Sequence, residues 1–325
     1  MGKQFEDTLF LVASPFQCLC MLEAINYFKI DNYDVIVTYS DSFNLEKVEA
    51  LLCNYQIPYT FSNTAHIIYG VMPFVFSRHK RYRNFFIGDF NSYNDISIAY
   101  FLAKFNANIY FLDDGVQALS LFSPIKKKSR KKFKVNLVLT LYRIIAILKK
   151  IKNPVFFTIH NVFSSKYEIV KNPFTLLQSK VVGMPKGVFI IGTNSGVLKF
   201  KDSSYEEYLT GIQKQLKKRY PLDKILYCPH RRDPNLSHIN SFCHKLNIGI
   251  FDTKISVEFD FIENNINPKY IVGFCSNALY TLHMIYPKAV VETLEFSLQS
   301  EEDDIENQVL TKRFVDSGIS VLNVL

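Results

Sequence analysis

The sequence predicts an α/β protein made of two facing Rossmann-like domains, each with a mostly parallel sheet. Short runs of apolar, β-branched and aromatic residues alternate with longer mixed segments, as in repeated βα units. The length of 325 residues suits two domains, and an apolar content of 48% is enough for two buried cores. No run of eighteen apolar residues occurs, which excludes a polytopic membrane protein.

In the first half, each predicted strand is a short β-branched or aromatic run bounded by polar or turn-forming residues. The predicted strands are 8–14, 33–39, 83–88, 107–112 and 154–159. The longer mixed segments between them predict helices at 15–29, 43–56, 92–105 and 136–150. The first of these helices begins at Pro15, because the fixed φ of proline suits the first helical position.

The second half repeats the alternation. Strands are predicted at 187–192, 224–228, 247–252, 270–274 and 289–293, with helices at 204–219, 257–265 and 276–286. Weak periodicity and two prolines in segment 165–186 place the joint there, which gives Rossmann-like domains at 1–175 and 176–325. Ligands of open α/β sheets bind at the carboxyl ends of strands, so site residues should follow strands directly.

The positive charge is concentrated in one segment. The chain has a formal net charge of +8, but the segment from Lys126 to Lys152 holds eleven basic residues and no acid, and the remainder carries −3. A nucleic-acid partner is therefore not expected. Segment 126–152 has two interpretations: a core helix preceded by solvated lysines, or a peripheral contact with an anionic inner membrane.

Cysteine spacing and the N-terminal sequence indicate the compartment. The six cysteines form no CxxC pattern, so they are interpreted as reduced thiols. Residues 1–14 lack the charged and apolar regions of a secretory signal. We therefore expect a cytoplasmic protein.

The first candidate site residues follow strands of the first half. Asp113, Asp114 and Gly115 come directly after strand 107–112, where a partly desolvated carboxylate can act as a general base on a sugar hydroxyl. An Asp-Gly turn is the alternative interpretation. Polar residues that could hydrogen-bond a sugar or a base follow the first and third strands, with loop capping as their alternative: Gln17, Asn91 and Ser92.

The second half offers an anion site. His230 and Arg231 follow strand 224–228, and such residues bind negative charge and can protonate a leaving group; surface charge is the alternative. Ser276 and Asn277 begin a helix, whose free N–H groups attract anions, although a simple helix cap explains them too. Thr193 and Asn194 lie in a glycine-bounded loop after strand 187–192 and could complete the rim.

These motifs together resemble a known family. The segments 14–17 (SPFQ) and 113–115 (DDG), the pair Pro229-His230 and Ser276 are similar to the two-domain bacterial sialyltransferases, closest to glycosyltransferase family 52 and the related capsule and O-antigen sialyltransferases and polysialyltransferases. Two details differ: the family has histidine before proline, and its Ser-Ser or Ser-Thr pair is Cys275-Ser276 here.

The resemblance implies a fold and a reaction. It implies a GT-B glycosyltransferase that moves sialic acid from CMP-sialic acid to a sugar hydroxyl with inversion and without a metal. The domain at 1–175 would be the acceptor-side domain, and the domain at 176–325 would bind the CMP-sugar. By position, Asp113 is the general base, His230 binds or protonates the departing phosphate, and Ser276 holds that phosphate. Arg231 is a further candidate phosphate contact, which we infer from its positive charge and not from the resemblance.

The resemblance also implies which donor, acceptor and cofactors to expect. No cofactor is expected beyond the CMP-sugar donor, and the sequence contains no metal-binding cluster and no Asp-x-Asp after a strand. The acceptor is expected to be galactose on a lipid-linked surface glycan such as lipooligosaccharide, O-antigen or capsule. Alternatives are another CMP-linked nonulosonic acid or Kdo, or a non-catalytic nucleotide- or glycan-binding protein. The linkage and the oligomeric state, including a homodimer, stay open.

The remaining histidines lack a charged neighbourhood. They are interpreted as structural or surface residues: His66, His79, His160, His238, His244 and His283.

Overall fold

A computed structural model describes most of the chain. The described residues are 7–38, 42–62, 82–88, 98–99, 102, 107–113, 152–196, 198–230 and 232–324, without the side chains of residues 42 and 43. The chain divides into two compact units, Met1–Leu176 and Leu177–Leu325. Nearly all of the basic segment 126–152 and the predicted helix 136–150 lie outside the described residues.

Unit 1 is built on a seven-stranded sheet in the order β3-β2-β1-β4-β5-β6-β7. Its strands are β1 (Thr8–Val12), β2 (Tyr33–Thr38), β3 (Thr60–Ser62), β4 (Asn84–Ile87), β5 (Asn108–Leu112), β6 (Val155–Thr158) and β7 (Glu168–Lys171). All pairings between these strands are parallel. The central strands β1 and β4 are buried along their whole length, as expected for a parallel sheet covered on both faces.

Two helices of unit 1 follow β1 and β2. Helix α1 (Pro15–Phe28) is capped by the Ser14 hydroxyl, which accepts the Gln17 N–H, and it ends at Lys29 with a φ of 54°. Helix α2 (Ser42–Asn54) leads to β3. Phe28 at the end of α1 contacts the rings of Phe86 and Phe157, so it anchors the helix on β4 and β6.

Unit 2 has a six-stranded sheet in the order β10-β9-β8-β11-β12-β13, again with parallel pairings only. Its strands are β8 (Val188–Ile191), β9 (Ile225–Cys228), β10 (Gly249–Ile250), β11 (Tyr270–Gly273), β12 (Val290–Leu294) and β13 (Ser320–Leu322). Helices Tyr205–Arg219, Leu236–Lys245, Val257–Glu263, Asn277–Ile285 and Glu301–Asp316 connect these strands, and the short helix Thr175–Ser179 precedes β8 at the boundary between the units.

Local sequence explains where the helices of unit 2 begin. Four of them start at a serine whose hydroxyl accepts a backbone N–H of the first turn; these are Ser204, Ser256, Ser276 and Ser300. Ser204 and Glu207 form a complete capping box. The same helix carries acidic residues in its first turn and basic residues in its last, which complements the helix dipole.

The predicted fold class is confirmed, and all ten predicted strands are present. The sequence analysis did not predict strands β3, β7 and β13, which are three or four residues long and lie at or near sheet ends. It also missed helices Leu236–Lys245 and Glu301–Asp316, which each bury only two residues and therefore lack a broad apolar face. Within the predicted helix 92–105, residues 98, 99 and 102 are described, and they are helical.

None of the helices in the described ranges combines the length and the apolar character that a membrane span requires.

Phe274 is the centre of an aromatic cluster in unit 2. It is 1% exposed, and its ring stacks on Tyr205 with centroids 5.1 Å apart. Phe200, Tyr208 and Phe296 surround it at 5.6, 5.7 and 5.3 Å. Helix Tyr205–Arg219 and the segments after β8 and β12 are thus packed against the end of β11.

We expect Phe274→Ala to lower the free energy of unfolding by about 3–5 kcal/mol, because it leaves a cavity inside this cluster. Urea unfolding followed by circular dichroism measures the change. Phe163, which is 87% exposed, is the matched control, and Phe163→Ala should change the value by less than about 0.5 kcal/mol. Equal effects of the two substitutions would contradict the packing described for Phe274.

Candidate functional site

Both sheets have a topological switch point, where successive connections leave in opposite directions. The strand orders place these points between β1 and β4 in unit 1 and between β8 and β11 in unit 2. Ligands of open α/β sheets bind beside such points, at the carboxyl ends of the strands. The described candidate residues lie at these ends: Gln17 after β1, Asp113 after β5, Thr193 and Asn194 after β8, His230 after β9, and Ser276 and Asn277 after β11.

Asp113 is buried, with 1% exposure, although it lies at the end of a strand. Its Oδ2 atom accepts the Ile159 N–H at 2.5 Å. This bond links the end of β5 to the end of β6 and fixes the orientation of the Asp113 side chain.

The neighbouring strands add polar groups beside Asp113. His160, which is 1% exposed, follows β6, and its backbone N–H donates to the Thr158 hydroxyl. Lys171 ends β7 and donates to the Ile159 carbonyl oxygen and to Asn161 Oδ1. Burial lowers the pKa of Lys171, and the negative charge of Asp113 opposes that lowering. His160 is therefore internal and close to the candidate base.

Gln17 is 3% exposed, and its Oε1 atom accepts the Ala13 N–H at 2.7 Å. The side chain lies against Gly88, where an added Cβ would be 2.3 Å from Oε1. Gln17 thus contacts both the residue after β1, Ala13, and the residue after β4, Gly88. Its role in substrate binding stays a prediction.

In unit 2 three neighbouring strands end at one level. The register pairs Ile191 of β8 with Cys228 on one side and with Gly273 on the other. Glycine is needed where the backbones of neighbouring strands approach closely. A Cβ on Gly273 would lie 2.7 Å from the Ile191 carbonyl oxygen, and one on Gly192 would lie 2.9 Å from the Cys228 carbonyl oxygen. The segments that leave these strands therefore emerge side by side.

His230 is half-buried after the buried Pro229. Its Nδ1 atom accepts the Arg232 N–H at 3.3 Å. Because an accepting Nδ1 carries no proton, neutral His230 bears its proton on Nε2. The ring can thus donate a hydrogen bond through Nε2 to an anionic oxygen.

Asp233 fixes the loop that carries His230. Its N–H donates to the His230 carbonyl oxygen, and its carboxylate accepts the Ser195 N–H at 3.1 Å and the Ser195 hydroxyl at 2.7 Å. The same carboxylate accepts the Asn235 N–H at 2.9 Å. Asp233 therefore joins the loop after β9 to the loop after β8, which carries Thr193 and Asn194.

Two buried tyrosines support the loop after β8. The hydroxyls of Tyr205 and Tyr227 are 2.9 Å apart, and Tyr205 accepts the Thr193 N–H at 3.3 Å. Burial raises the pKa of both phenols, so both hydroxyls stay protonated in the physiological range. They act as neutral hydrogen-bonding groups beneath the loop.

The start of helix Asn277–Ile285 forms the third part of the site. The Ser276 hydroxyl accepts the Leu279 N–H at 3.3 Å. The Asn277 Oδ1 atom is buried and has no hydrogen-bond partner among the described residues. Burial raises the pKa of the Cys275 thiol to about 12, which excludes a reactive thiolate beside Ser276 at neutral pH. The helix N-terminus offers its N–H groups to an anion.

Five candidate residues lie outside the described residues, namely Asn91, Ser92, Asp114, Gly115 and Arg231. Three further residues hold the segments around the candidate residues, and the sequence analysis predicted no role for them: Asp233, Tyr205 and Lys171. The signal for Asp233 was its position before Pro234, where Asp favours a turn by bonding a backbone N–H two residues on. Across the described ranges, no three His, Cys, Asp or Glu side chains are grouped as a metal site would require.

Comparison with solved structures shows the fold. The chain is similar to an α/β-galactoside α-2,3-sialyltransferase from the luminous marine bacterium Photobacterium phosphoreum, with 14% identity, 99% coverage of both chains and a TM-score of 0.60. It is also similar to the GT-B domain of a sialyltransferase from Photobacterium damselae, with 12% identity, coverage of 97% and 99%, and a TM-score of 0.53.

A third similar structure is a 2,6-sialyltransferase from a Photobacterium species, in complex with the donor product CMP and the acceptor substrate lactose. The identity is 12%, the coverage is 98% of this chain and 78% of that chain, and the TM-score is 0.53. No protein-family model and no curated sequence matches the chain. The resemblance to bacterial sialyltransferases is confirmed at the level of a GT-B fold, and membership of family 52 stays a prediction.

We expect Asp233→Ala to release the loops after β8 and β9 from each other, because it removes the acceptor that serves Ser195 and Asn235. Amide hydrogen exchange followed by mass spectrometry should become faster in the peptides that contain these two residues. Asp202, which is exposed, provides the control Asp202→Ala. Unchanged exchange in Asp233→Ala would show that other contacts hold the loops.

Proposed function

We propose that this protein is a glycosyltransferase, specifically an inverting and metal-independent sialyltransferase. It would use CMP-sialic acid as donor and a sugar hydroxyl, expected to be that of galactose in a bacterial surface glycan, as acceptor. The fold supports the coarser part of the proposal, since it is shared with sialyltransferases from Photobacterium. The site residues support the finer part.

One arrangement carries the proposal. Strands β9 and β11 both pair with β8, and His230, the loop with Thr193 and Asn194, and the helix start at Ser276 follow the carboxyl ends of these three strands. A ring donor, a polar loop and a helix N-terminus are the groups that bind a phosphate monoester. A departing CMP needs such stabilisation more than covalent catalysis, because negative charge develops on its phosphate oxygen.

The proposed reaction requires a general base for the acceptor hydroxyl and hydrogen-bond donors for the departing phosphate. Asp113 of unit 1 would accept the proton of the acceptor hydroxyl, whose oxygen forms the new bond to the anomeric carbon of the donor sugar. The bond between that carbon and the CMP phosphate oxygen breaks at the same time, and CMP leaves with the bonding electrons. His230, Ser276 and Asn277 of unit 2 would stabilise the phosphate, and His230 can donate through Nε2.

The proposal extends to partners and location. We infer a lipid-linked acceptor reached from the cytoplasmic side, with segment 126–152 contacting the anionic inner membrane, because eleven basic residues without an acid suit that surface. Gln17, Asn91, Ser92, Asp114, Gly115 and Arg231 are proposed as further substrate contacts.

Incubation of the purified chain with CMP-sialic acid, lactose and Galβ1-3GalNAc-type acceptors in the presence of EDTA should yield a sialylated product and free CMP, both read by mass spectrometry. Asp113→Asn should lower kcat by roughly 10²–10⁴-fold, since its amide cannot accept the proton, while CMP affinity stays unchanged. Unchanged turnover in both Asp113→Asn and His230→Ala would remove the catalytic assignment. Activity with CMP-Kdo but not with CMP-sialic acid would show that the donor sugar is Kdo.

Ser276→Ala should weaken CMP binding by roughly tenfold or more, because a hydrogen bond to a charged phosphate contributes about 1.5–3 kcal/mol. Isothermal titration calorimetry measures the affinity. Ser256 is a matched control, since its hydroxyl also caps a helix at 3.3 Å in the same unit. Both substitutions should cost about 0.5–2 kcal/mol of stability, whereas only Ser276→Ala should affect CMP. Equal CMP affinities would place the phosphate elsewhere.

A further inference from the structure

At the carboxyl ends of β5, β6 and β7 in unit 1, three residues lie at the same level of the sheet. The register pairs Leu112 with Phe157, so Asp113 follows at the level of Thr158, and Thr158 is paired directly with Lys171. Adjacent strands lie about 4.8 Å apart, which places Asp113 and Lys171 two strand spacings from each other. An acid and a base thus flank the end of β6 from its two neighbouring strands.

Both side chains reach the same peptide segment between them. Asp113 Oδ2 accepts the Ile159 N–H, and the Lys171 ammonium donates to the Ile159 carbonyl oxygen. Lys171 also donates to Asn161 Oδ1 at 2.7 Å. The turn after β6 is therefore held from both sides, and a shift of Lys171 would move the N–H that orients Asp113.

The two groups also interact through their charges. Asp113 and Ile159 are buried, so solvent screens this region weakly. Burial lowers the pKa of Lys171, and the negative charge of Asp113 opposes that lowering. By reciprocity the ammonium favours the ionised form of Asp113.

We propose that Lys171 is a positioning residue for Asp113: it fixes the turn that orients the carboxylate and supplies the positive charge that keeps the carboxylate ionised. A general base must be unprotonated before it can accept a proton, so Lys171 would extend activity to lower pH. The catalytic consequence rests on the proposed function, whereas the effect on Asp113 itself does not.

Titratable side chains other than Asp113 lie on or after elements that pack against β5 or β6. Lys171 is on β7 and His160 follows β6, while α1 carries the buried Glu23, whose carboxylate accepts the Leu176 N–H. Asp89 and Asp114 lie outside the described residues. Substitution of Lys171 alone leaves all these groups in place, so its effect on Asp113 can be separated from theirs.

The test follows the protonation of Asp113 directly by NMR and indirectly through the pH dependence of activity. Carbon-13 NMR of side-chain carboxyl groups, with the Asp113 signal assigned by its loss in Asp113→Asn, should show that Lys171→Met moves the titration of Asp113 up by about one pH unit or more. The acid limb of the kcat/KM profile should move in the same direction. Lys171→Arg keeps the positive charge and should restore most of both readouts.

Lys166 precedes the same strand and is exposed, so Lys166→Met is the matched control and should leave the titration and the profile unchanged. An unchanged Asp113 titration in folded Lys171→Met would overturn the inference even if the protein is an active transferase. A shifted titration without transferase activity in any variant, wild type included, would support the inference and reject the proposed function.

Discussion

The parallel register of neighbouring strands is the constraint on which both parts of the site depend. In unit 2 it ends β9, β8 and β11 at one level, so that Cys228, Ile191 and Gly273 lie side by side although they are far apart in sequence. Glycine at 192 and 273 permits the close approach, since a Cβ there would overlap a neighbouring carbonyl oxygen or the Tyr227 hydroxyl. The segments that leave these strand ends are therefore neighbours in the fold.

One buried carboxylate in each unit fixes the segments that follow the strands. Asp233 of unit 2 accepts hydrogen bonds from Ser195 and Asn235, and Asp113 of unit 1 accepts the Ile159 N–H. Each carboxylate is buried, which costs free energy unless donors surround it, and each therefore holds its donors in a narrow range of positions. The two differ in consequence. Asp233 joins the loops after β8 and β9, whereas Asp113 holds the turn that follows β6.

The sequence was most informative where the hydrophobic pattern is strong. Strands such as β1, β4 and β8 are fully buried, and their apolar runs predicted them. Helix Glu301–Asp316 was missed because its sequence is largely charged, and the cap at Ser300 and four acidic residues in its first turn help to stabilise its start. Strand β7 has no fully buried residue and is defined by its pairing with β6. A pattern search cannot find an element whose stability comes from its neighbours.

The sequence by itself determined the α/β class, ten of the thirteen described strands and the polar residues that follow them, because hydrophobic periodicity and residue type are local properties. Asp113, His230 and Ser276 could be proposed as site residues on that basis. Only the tertiary structure decided which strands are neighbours, and with them the hydrogen bonds that Asp113 and Lys171 make to Ile159 and the bonds through which Asp233 joins the loops after β8 and β9. Those contacts join residues from different strands, and their geometry depends on packing and register that no local pattern encodes.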